Sequence, residues 1–272
     1  IRLGNIIAFT SSSIIAIISS TVAQYVVNSQ STKSDIYPSS NIEAMIMKMG
    51  GLAEASIADA TRSFESRDIP LAEAVIERDK LIDELEASIN AQAVQVLALR
   101  SPNAVDLRLV LSVIKVSGNL ERIGDYSKNI AKRTRVLLEM RTIEGSPKAL
   151  RRMAREVEIM LGDALNAYIR QDEELARAVI ARDEDVDQLY NALFREFLTF
   201  MMEDPRNITA CMHLHFMAKN IERMGDHVTS IAEQVVFYTT GIKPEEERNK
   251  ADITSSDTTL SNLGPMVIKG KG

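Results

Sequence analysis

A seven-residue segment occurs twice in this chain, and the repetition limits the possible folds more than any other feature. Asn119–Asp125 reads Asn-Leu-Glu-Arg-Ile-Gly-Asp, and Asn220–Asp226 repeats it with two apolar exchanges. Positions four residues apart lie on one face of a helix, so each segment presents two carboxylates one turn apart. We call these segments the septets. Their carboxylate pairs are Glu121 with Asp125 and Glu222 with Asp226.

Each septet also contains a glycine, Gly124 or Gly225, at a position that is predicted to be helical. Glycine in a helix interior costs about 1 kcal/mol relative to alanine. A compensating contact is therefore expected at both positions. The simplest prediction is that a neighbouring helix or a ligand comes close to the backbone there.

Capping residues and prolines around the septets predict six helices. Ser39 or Ser40 is expected to cap the first helix, and Gly241 to end the last one. Proline is favoured in the first turn of a helix, and four predicted starts carry one: Pro70, Pro102, Pro147 and Pro205. The predicted helices span about 41–66, 68–99, 101–140, 147–170, 172–202 and 205–240.

The order of the helices repeats together with the septets. Leu71–Asp79 matches Leu175–Asp183, and a septet follows in both halves. This pattern predicts an all-α fold of two tandem, sequence-related three-helix bundles. The predicted organisation is an N-terminal extension over 1–40, a first bundle over 41–144, a second over 145–241 and a disordered tail over 242–272.

The N-terminal extension does not fit the helical pattern. Ile6–Val27 carries no charge and is long enough to span a bilayer, but Ser, Thr and Gln interrupt it repeatedly. A strand or an irregular extension is favoured over a membrane anchor. A weak signal peptide and a truncated or misassigned start stay open, because the chain opens on Ile and not on Met.

Charge and cysteine content exclude two broad classes of protein. The formal net charge is -6, so the chain offers no basic field for a phosphate backbone and nucleic acid is not expected as a partner. Cys211 is the single cysteine and cannot form a disulfide within the chain. A reducing compartment is expected.

A second set of paired carboxylates precedes each septet. Asp79 with Asp83 and Asp183 with Asp187 have the same spacing of four residues. If each bundle brings its two pairs together, the carboxylates repel unless a cation neutralises them, and oxygen donors suit Mg, Mn, Ca or ferric iron. On spacing alone a structural interpretation is favoured, in which the stripes are solvated or form ion pairs with Arg122, Arg223, Arg78 and Arg182.

Several other polar residues lie near the septets. Cys211, His213 and His215 look like a ligand cluster, but positions two apart on a helix point in different directions, so packing is the favoured interpretation. Met45, Met47 and Met49 are expected in a core or interface. Ser230 is a further oxygen donor beside the second septet. The candidates for a shell around the carboxylates are Asn119, Asn129, Asn220, Arg122, Arg223 and His227, the last at the rim of the acidic pair.

The residues from Ile42 to Gly241 resemble the PhoU family of bacterial phosphate regulators. The resemblance is carried by Met49–Glu54 and by the two septets, in the expected order. It implies a fold of two similar three-helix bundles. It also implies metal ions, iron first and manganese, magnesium or zinc as alternatives, on Glu121, Asp125, Glu222 and Asp226, with Asp79, Asp83, Asp183 and Asp187 facing them.

The resemblance implies a regulatory and not an enzymatic role. A PhoU-like protein is expected to repress phosphate uptake and the phosphate-starvation response, as an adaptor between the ATPase subunit of the phosphate ABC transporter and a membrane sensor histidine kinase. A cytoplasmic homodimer at the inner face of the membrane is implied. The extension over 1–40 departs from the family and leaves a membrane-tethered structural bundle open. A carboxylate-bridged metalloenzyme is disfavoured, because no histidine follows a glutamate by three residues.

Overall fold

The structure is a computed structural model that describes residues 39–99 and 104–244. All regular structure in these residues is helical, which confirms the all-α prediction. The elements are α1 Ser39–Ser66, α2 Ile69–Leu99, α3 Ala104–Leu137, α4 Ser146–Arg170, α5 Glu173–Glu203, a short 3-10 helix Pro205–Asn207 and α6 Ile208–Thr240. Each half of the chain therefore contributes three long helices.

The observed helix ends follow the capping chemistry of the sequence in most places. The Asp172 carboxylate accepts a hydrogen bond from the Leu175 amide at 3.0 Å, and Asp68 caps α2 in the same way. Gly241 ends α6 with φ of 76°, a left-handed conformation that suits glycine. Helix α1 begins at Ser39, close to the predicted start. One predicted end was wrong, since α3 ends at Leu137 and turns follow it. The predicted start of α3 at Ser101 lies outside the described residues.

Both halves of the chain share one hydrophobic core. Helix α1 buries an apolar face, with Ile46 and Met49 fully inaccessible to solvent. A single buried cluster continues from there to side chains of all six helices, including Ile82, Ile123, Met153, Val186 and Met224. Burial of each such side chain contributes about 1.5–3 kcal/mol. Residues 41–244 thus lie in one compact unit and not in two separate domains.

The two halves meet through helices that occupy equivalent positions. Helices α3 and α6 pack against each other and run antiparallel, since Asn119 contacts His227 and Arg133 contacts His213. Helix α1 packs antiparallel against α4. A Cβ atom at Gly50 would lie 2.6 Å from Leu165 Cδ1, and Arg151 Nη1 donates to Thr61 Oγ1 at 3.3 Å. Helices α2 and α5 pack against α3 and α6 respectively.

An ion pair between the first and second helix of each half is also duplicated. Arg78 donates to Asp59 at 2.8 Å, and Arg182 donates to Asp163 at 2.8 Å, each pair separated by 19 positions in the chain. Arg182 also lies 3.6 Å from Glu156. These arginines hold α2 to α1 and α5 to α4. The prediction that Arg78 and Arg182 pair with the acidic stripes was therefore wrong.

The question of a membrane segment concerns residues that the structure does not describe. Within 39–99 and 104–244, no helix is apolar enough over 18 residues to cross a bilayer. The uncharged segment Ile6–Val27 lies outside these ranges, as does the predicted tail from residue 245 onward.

Candidate functional site

The two septet glycines lie where a neighbouring helix approaches. A Cβ atom at Gly124 would lie 3.0 Å from Ile82 Cδ1 and 3.3 Å from Asp79 Oδ1 of α2. At Gly225 the equivalent atom would lie 3.4 Å from both Val186 Cγ1 and Asp183 Oδ1 of α5. The prediction of a close approach is confirmed at both positions. In both halves an aspartate of the preceding helix faces the septet.

The first half brings four carboxylates together, which we call the first acidic cluster: Asp79, Asp83, Glu121 and Asp125. Asp79 is almost completely buried, Glu121 and Asp125 are half-buried, and Asp83 is exposed at the edge. Burial, and then the neighbouring Asp125 carboxylate, raises the pKa of Glu121 to about 7. Burial, and then Asp79, raises the pKa of Asp83. Burial is thus the main cause of both shifts, and the neighbouring carboxylate charges add to it.

The ammonium group of Lys128 lies within the first acidic cluster. Lys128 Nζ donates to Asp125 Oδ1 at 2.7 Å, and it also donates to Asp79 Oδ2. Burial is the largest single effect and opposes the charges of Asp125 and Lys128, but the hydrogen bonds and opposite charges around them together outweigh it. The pKa of Asp125 is therefore lowered and that of Lys128 raised. Lys128 was missed in the sequence, although its place three residues after Asp125 was a usable signal.

The equivalent residues of the second half form the second acidic cluster: Asp183, Asp187, Glu222 and Asp226. Asp187 and Glu222 are buried, and Asp183 and Asp226 are half-buried. Lys219 Nζ donates to Glu222 Oε1 at 2.8 Å and lies 4.8 Å from the centre of the Tyr190 ring. This lysine precedes its septet, whereas Lys128 follows the first one. Lys219 was also missed in the sequence.

The residues predicted to surround the carboxylates have different roles in the two halves. Arg122 lies 3.5 Å from Glu121 and 3.4 Å from Asp125, as the ion-pair interpretation predicted. The Arg223 guanidinium instead lies 6.0 Å from the centre of the Tyr126 ring. Asn129, Asn220 and Ser230 are half-buried, and the Ser230 hydroxyl donates to the Asp226 carbonyl at 3.0 Å.

His227 lies at the interface between α3 and α6. Its Nδ1 atom is 2.8 Å from Asn119 Oδ1, and its ring is 5.6 Å from that of Tyr126. Burial lowers the pKa of His227, while Asp226 opposes this. The predicted rim position did not include these contacts between His227 and the first half of the chain. Its ring and Asn119 join the two halves of the molecule beside the septets.

The cluster of Cys211, His213 and His215 serves packing, as predicted. Cys211 is buried, and burial raises the pKa of its thiol. Arg133 Nη1 donates to His213 Nδ1 at 3.2 Å. The His215 ring packs 5.4 Å from that of Phe194. The predicted methionines of α1 also pack in or against the core.

The first acidic cluster fits a hard cation by its donor atoms. Asp79 Oδ1 is buried and accepts no hydrogen bond within the described part of the chain, so it is an open acceptor. Among residues 39–99 and 104–244, no three His, Cys, Asp or Glu side chains converge closely enough to hold a metal ion. Lys128 bridges two of the carboxylates instead. Metal binding therefore stays a prediction for this protein.

Comparison with known proteins assigns the family. The PhoU domain matches residues 46–134 and 150–235, so each half of the chain, with its septet, is one copy of the domain. The chain belongs to the PhoU family. A phosphate-specific transport system accessory protein PhoU homolog from Caulobacter vibrioides is 45% identical over 215 residues, 79% of this chain and 94% of that protein. The homolog from Rhizobium meliloti is 43% identical over 211 residues, 78% and 89% of the two chains.

Solved structures of PhoU proteins share the fold. The crystal structure of PhoU from Pseudomonas aeruginosa has a TM-score of 0.72 at 36% identity, and covers 74% of this chain and 97% of its own. The phosphate transport system regulatory protein PhoU from Streptococcus pneumoniae has a TM-score of 0.69 at 28% identity, with coverages of 75% and 95%. These matches confirm the tandem bundle architecture.

Proposed function

We propose that this protein is an accessory regulator of phosphate transport that represses phosphate uptake and the phosphate-starvation response. The observation that carries the proposal is the match of both halves of the chain to PhoU, together with relatives that are named accessory proteins of the phosphate-specific transport system. The role is regulatory and not enzymatic. The regulator acts as an adaptor between the ATPase subunit of the phosphate ABC transporter and a membrane sensor histidine kinase, as a homodimer at the cytoplasmic face of the membrane.

The regulatory role is tested by complementation of a bacterium that lacks its own PhoU protein. Expression of this chain is expected to restore repression of a phosphate-starvation reporter when phosphate is plentiful. The Caulobacter vibrioides homolog serves as the positive control. Repression by the control but not by this chain, at equal protein level, would contradict the proposal. Co-purification with the ATPase subunit and with the kinase tests the adaptor role.

We also propose that the two acidic clusters bind metal ions. Asp79, Asp83, Glu121 and Asp125 would hold the metal in the first half, and Asp183, Asp187, Glu222 and Asp226 in the second. A bound cation would supply the positive charge that relieves repulsion between the carboxylates. The oxygen donors and the open acceptor on Asp79 support this proposal, with iron as the first candidate and manganese, magnesium or zinc as alternatives.

Elemental analysis of the purified protein tests metal binding. The matched variant changes the four septet carboxylates to alanine, namely Glu121, Asp125, Glu222 and Asp226. Metal retained by the parent protein and lost from the variant, at equal helix content by circular dichroism, is the expected result. Equal and negligible metal in both proteins, also after incubation with Fe²⁺ or Mn²⁺, would assign the clusters to a structural role.

A further inference from the structure

Lys128 is the residue that joins the two carboxylate stripes of the first acidic cluster. Its ammonium group contacts Asp79 on α2 and Asp125 on α3. The Asp79 side chain is 5% exposed and that of Lys128 is 22% exposed, so this ion pair is mostly shielded from water. Partly buried charge-assisted hydrogen bonds are stronger than surface pairs. Lys128 therefore holds α2 to α3 at the septet.

The position of Lys128 is one that a metal ion would also need. Its ammonium group uses Asp79 Oδ2 and Asp125 Oδ1, which are oxygen donors of the predicted metal site. An ammonium group and a divalent cation cannot occupy the space between the same two oxygens. The second half has Thr229 at the equivalent position, and its hydroxyl donates to the Gly225 carbonyl at 3.0 Å. The lysine in the first half is thus a difference between the two clusters.

We propose that Lys128 is a built-in counter-ion of the first acidic cluster, which must leave Asp79 and Asp125 before a metal ion binds there. The inference rests on the proposed metal binding and adds a competitor to it. Lysine has a flexible four-carbon stem, so its ammonium group can swing into solvent without a change in the backbone. Metal binding at the first cluster is consequently weaker than its carboxylates alone would allow.

The test compares metal affinity between variants that retain only the first cluster. Glu222→Gln and Asp226→Asn remove two carboxylates of the second cluster in every protein used. In this background Lys128→Thr copies the residue of the second half, and Lys128→Met keeps most of the apolar stem if the threonine variant folds poorly. Lys132→Thr is the matched control, because Lys132 is exposed on the same helix and the variant loses the same charge.

Titration with Mn²⁺ by calorimetry gives the affinity. Lys128→Thr and Lys128→Met are expected to bind Mn²⁺ about tenfold more tightly than the parent, because two charge-assisted hydrogen bonds no longer compete. Lys132→Thr is expected to change the affinity by less than about twofold, since salt screens an exposed charge. In the absence of metal, the Lys128 variants are expected to have a Tm about 2–4 °C lower than the control.

Two outcomes would overturn the inference, and they are distinguishable. Equal Mn²⁺ affinity in the Lys128 variants and in the control would show that Lys128 does not compete, while leaving metal binding intact. Absence of Mn²⁺ binding in every variant, and also in the protein with both clusters, would refute the metal proposal together with the inference. Tighter binding in the Lys128 variants alone supports both.

Discussion

The two halves of the molecule have the same backbone packing at the septet but different charges around it. In both halves a glycine lies against an aspartate and an aliphatic residue of the preceding helix. Yet the lysine of the first cluster follows its septet and bridges two helices, whereas Lys219 precedes its septet and contacts Glu222 on the same helix. The close approach of two helices has thus persisted in both copies while the counter-ions differ.

This difference has a physical reason. Helix approach at a glycine leaves room for at most a methyl group and tolerates no bulky replacement. Neutralisation of a carboxylate requires only a cation within reach, and a lysine three residues before or three after satisfies it equally. The packing at the septets is therefore more constrained than the electrostatics. Four predictions test the comparison of the two halves, beginning with the largest expected effect.

The largest effect is expected from the aliphatic residues that face the septet glycines. Ile82→Ala is expected to lower the free energy of unfolding by about 3 kcal/mol, and Val186→Ala by about 1 kcal/mol less, because valine has one methylene fewer. Both side chains are buried at equivalent positions. Urea unfolding followed by circular dichroism measures the difference. A smaller loss for Ile82→Ala than for Val186→Ala would show that the two interfaces are not packed alike.

The second effect concerns a carboxylate that is present in both halves but is buried only in the second. Glu158 is 3% exposed and contacts Arg155 at 2.9 Å as well as Arg151, whose counterpart in the first half is Met47. Arg151→Met copies the first half and is expected to lower the free energy of unfolding by about 2 kcal/mol, because Glu158 loses one of its two cations. Urea unfolding of the variant and the parent protein measures this difference in the free energy of unfolding. The matched control Arg152→Met, on an exposed residue, should change stability by less than about 0.5 kcal/mol.

The third effect compares the two septet glycines directly. Gly225→Ala is expected to raise the free energy of unfolding by about 0.5–1 kcal/mol, since alanine favours a helix and the new Cβ atom has only ordinary contacts. For Gly124→Ala the increase in the free energy of unfolding is expected to be smaller by at least about 0.5 kcal/mol, because its Cβ atom would lie 3.0 Å from Ile82 Cδ1. Thermal unfolding of the metal-free proteins checks this. Equal increases in stability for the two variants would show that the Ile82 side chain moves aside at no measurable cost in free energy.

The smallest effect is the pH dependence of Glu54, the counterpart of Glu158. Burial, and then the Glu158 charge, raises the pKa of Glu54 above 4.5 in the folded protein. The folded state thus binds more protons than the unfolded state just above that pH, so the contribution of Glu54 to stability is lost as pH rises through its folded pKa. Glu54→Gln is expected to reduce this loss by less than about 1 kcal/mol. An unchanged profile of Tm between pH 4 and about pH 7 would contradict the shift.

Much of the fold was predictable because its signals are local. Pro70 predicted the start of α2 and Gly241 the end of α6, and the structure adds the aspartate caps of α2 and α5. The failure at the end of α3 was also local in origin, because turns replace the last predicted helical residues after Leu137. The packing role of Cys211, His213 and His215 followed from helical spacing alone.

The sites were predictable only in part. The carboxylates of the first acidic cluster were recognised from their spacing, and burial, followed by the neighbouring Asp125 charge, raises the pKa of Glu121. The cations were not recognised, because any arginine or lysine one turn away is a candidate on spacing. Arg78 was assigned to the acidic stripe, but the structure pairs it with Asp59 on another helix. His227 was expected at the rim of the acidic pair, and its contact with Asn119 across the interface was not predicted.

The sequence alone determined that this protein consists of two related helical halves, where most helices begin and end, and that a helix approaches each septet glycine. These properties depend on residues that are close in the chain. Only the tertiary structure decided that both halves share one core, that α3 and α6 pack antiparallel, and that Lys128 joins Asp79 to Asp125. Such contacts depend on the rotation and offset of each helix, and a shift of a few ångströms, about one helical turn, changes the partner of a charged side chain.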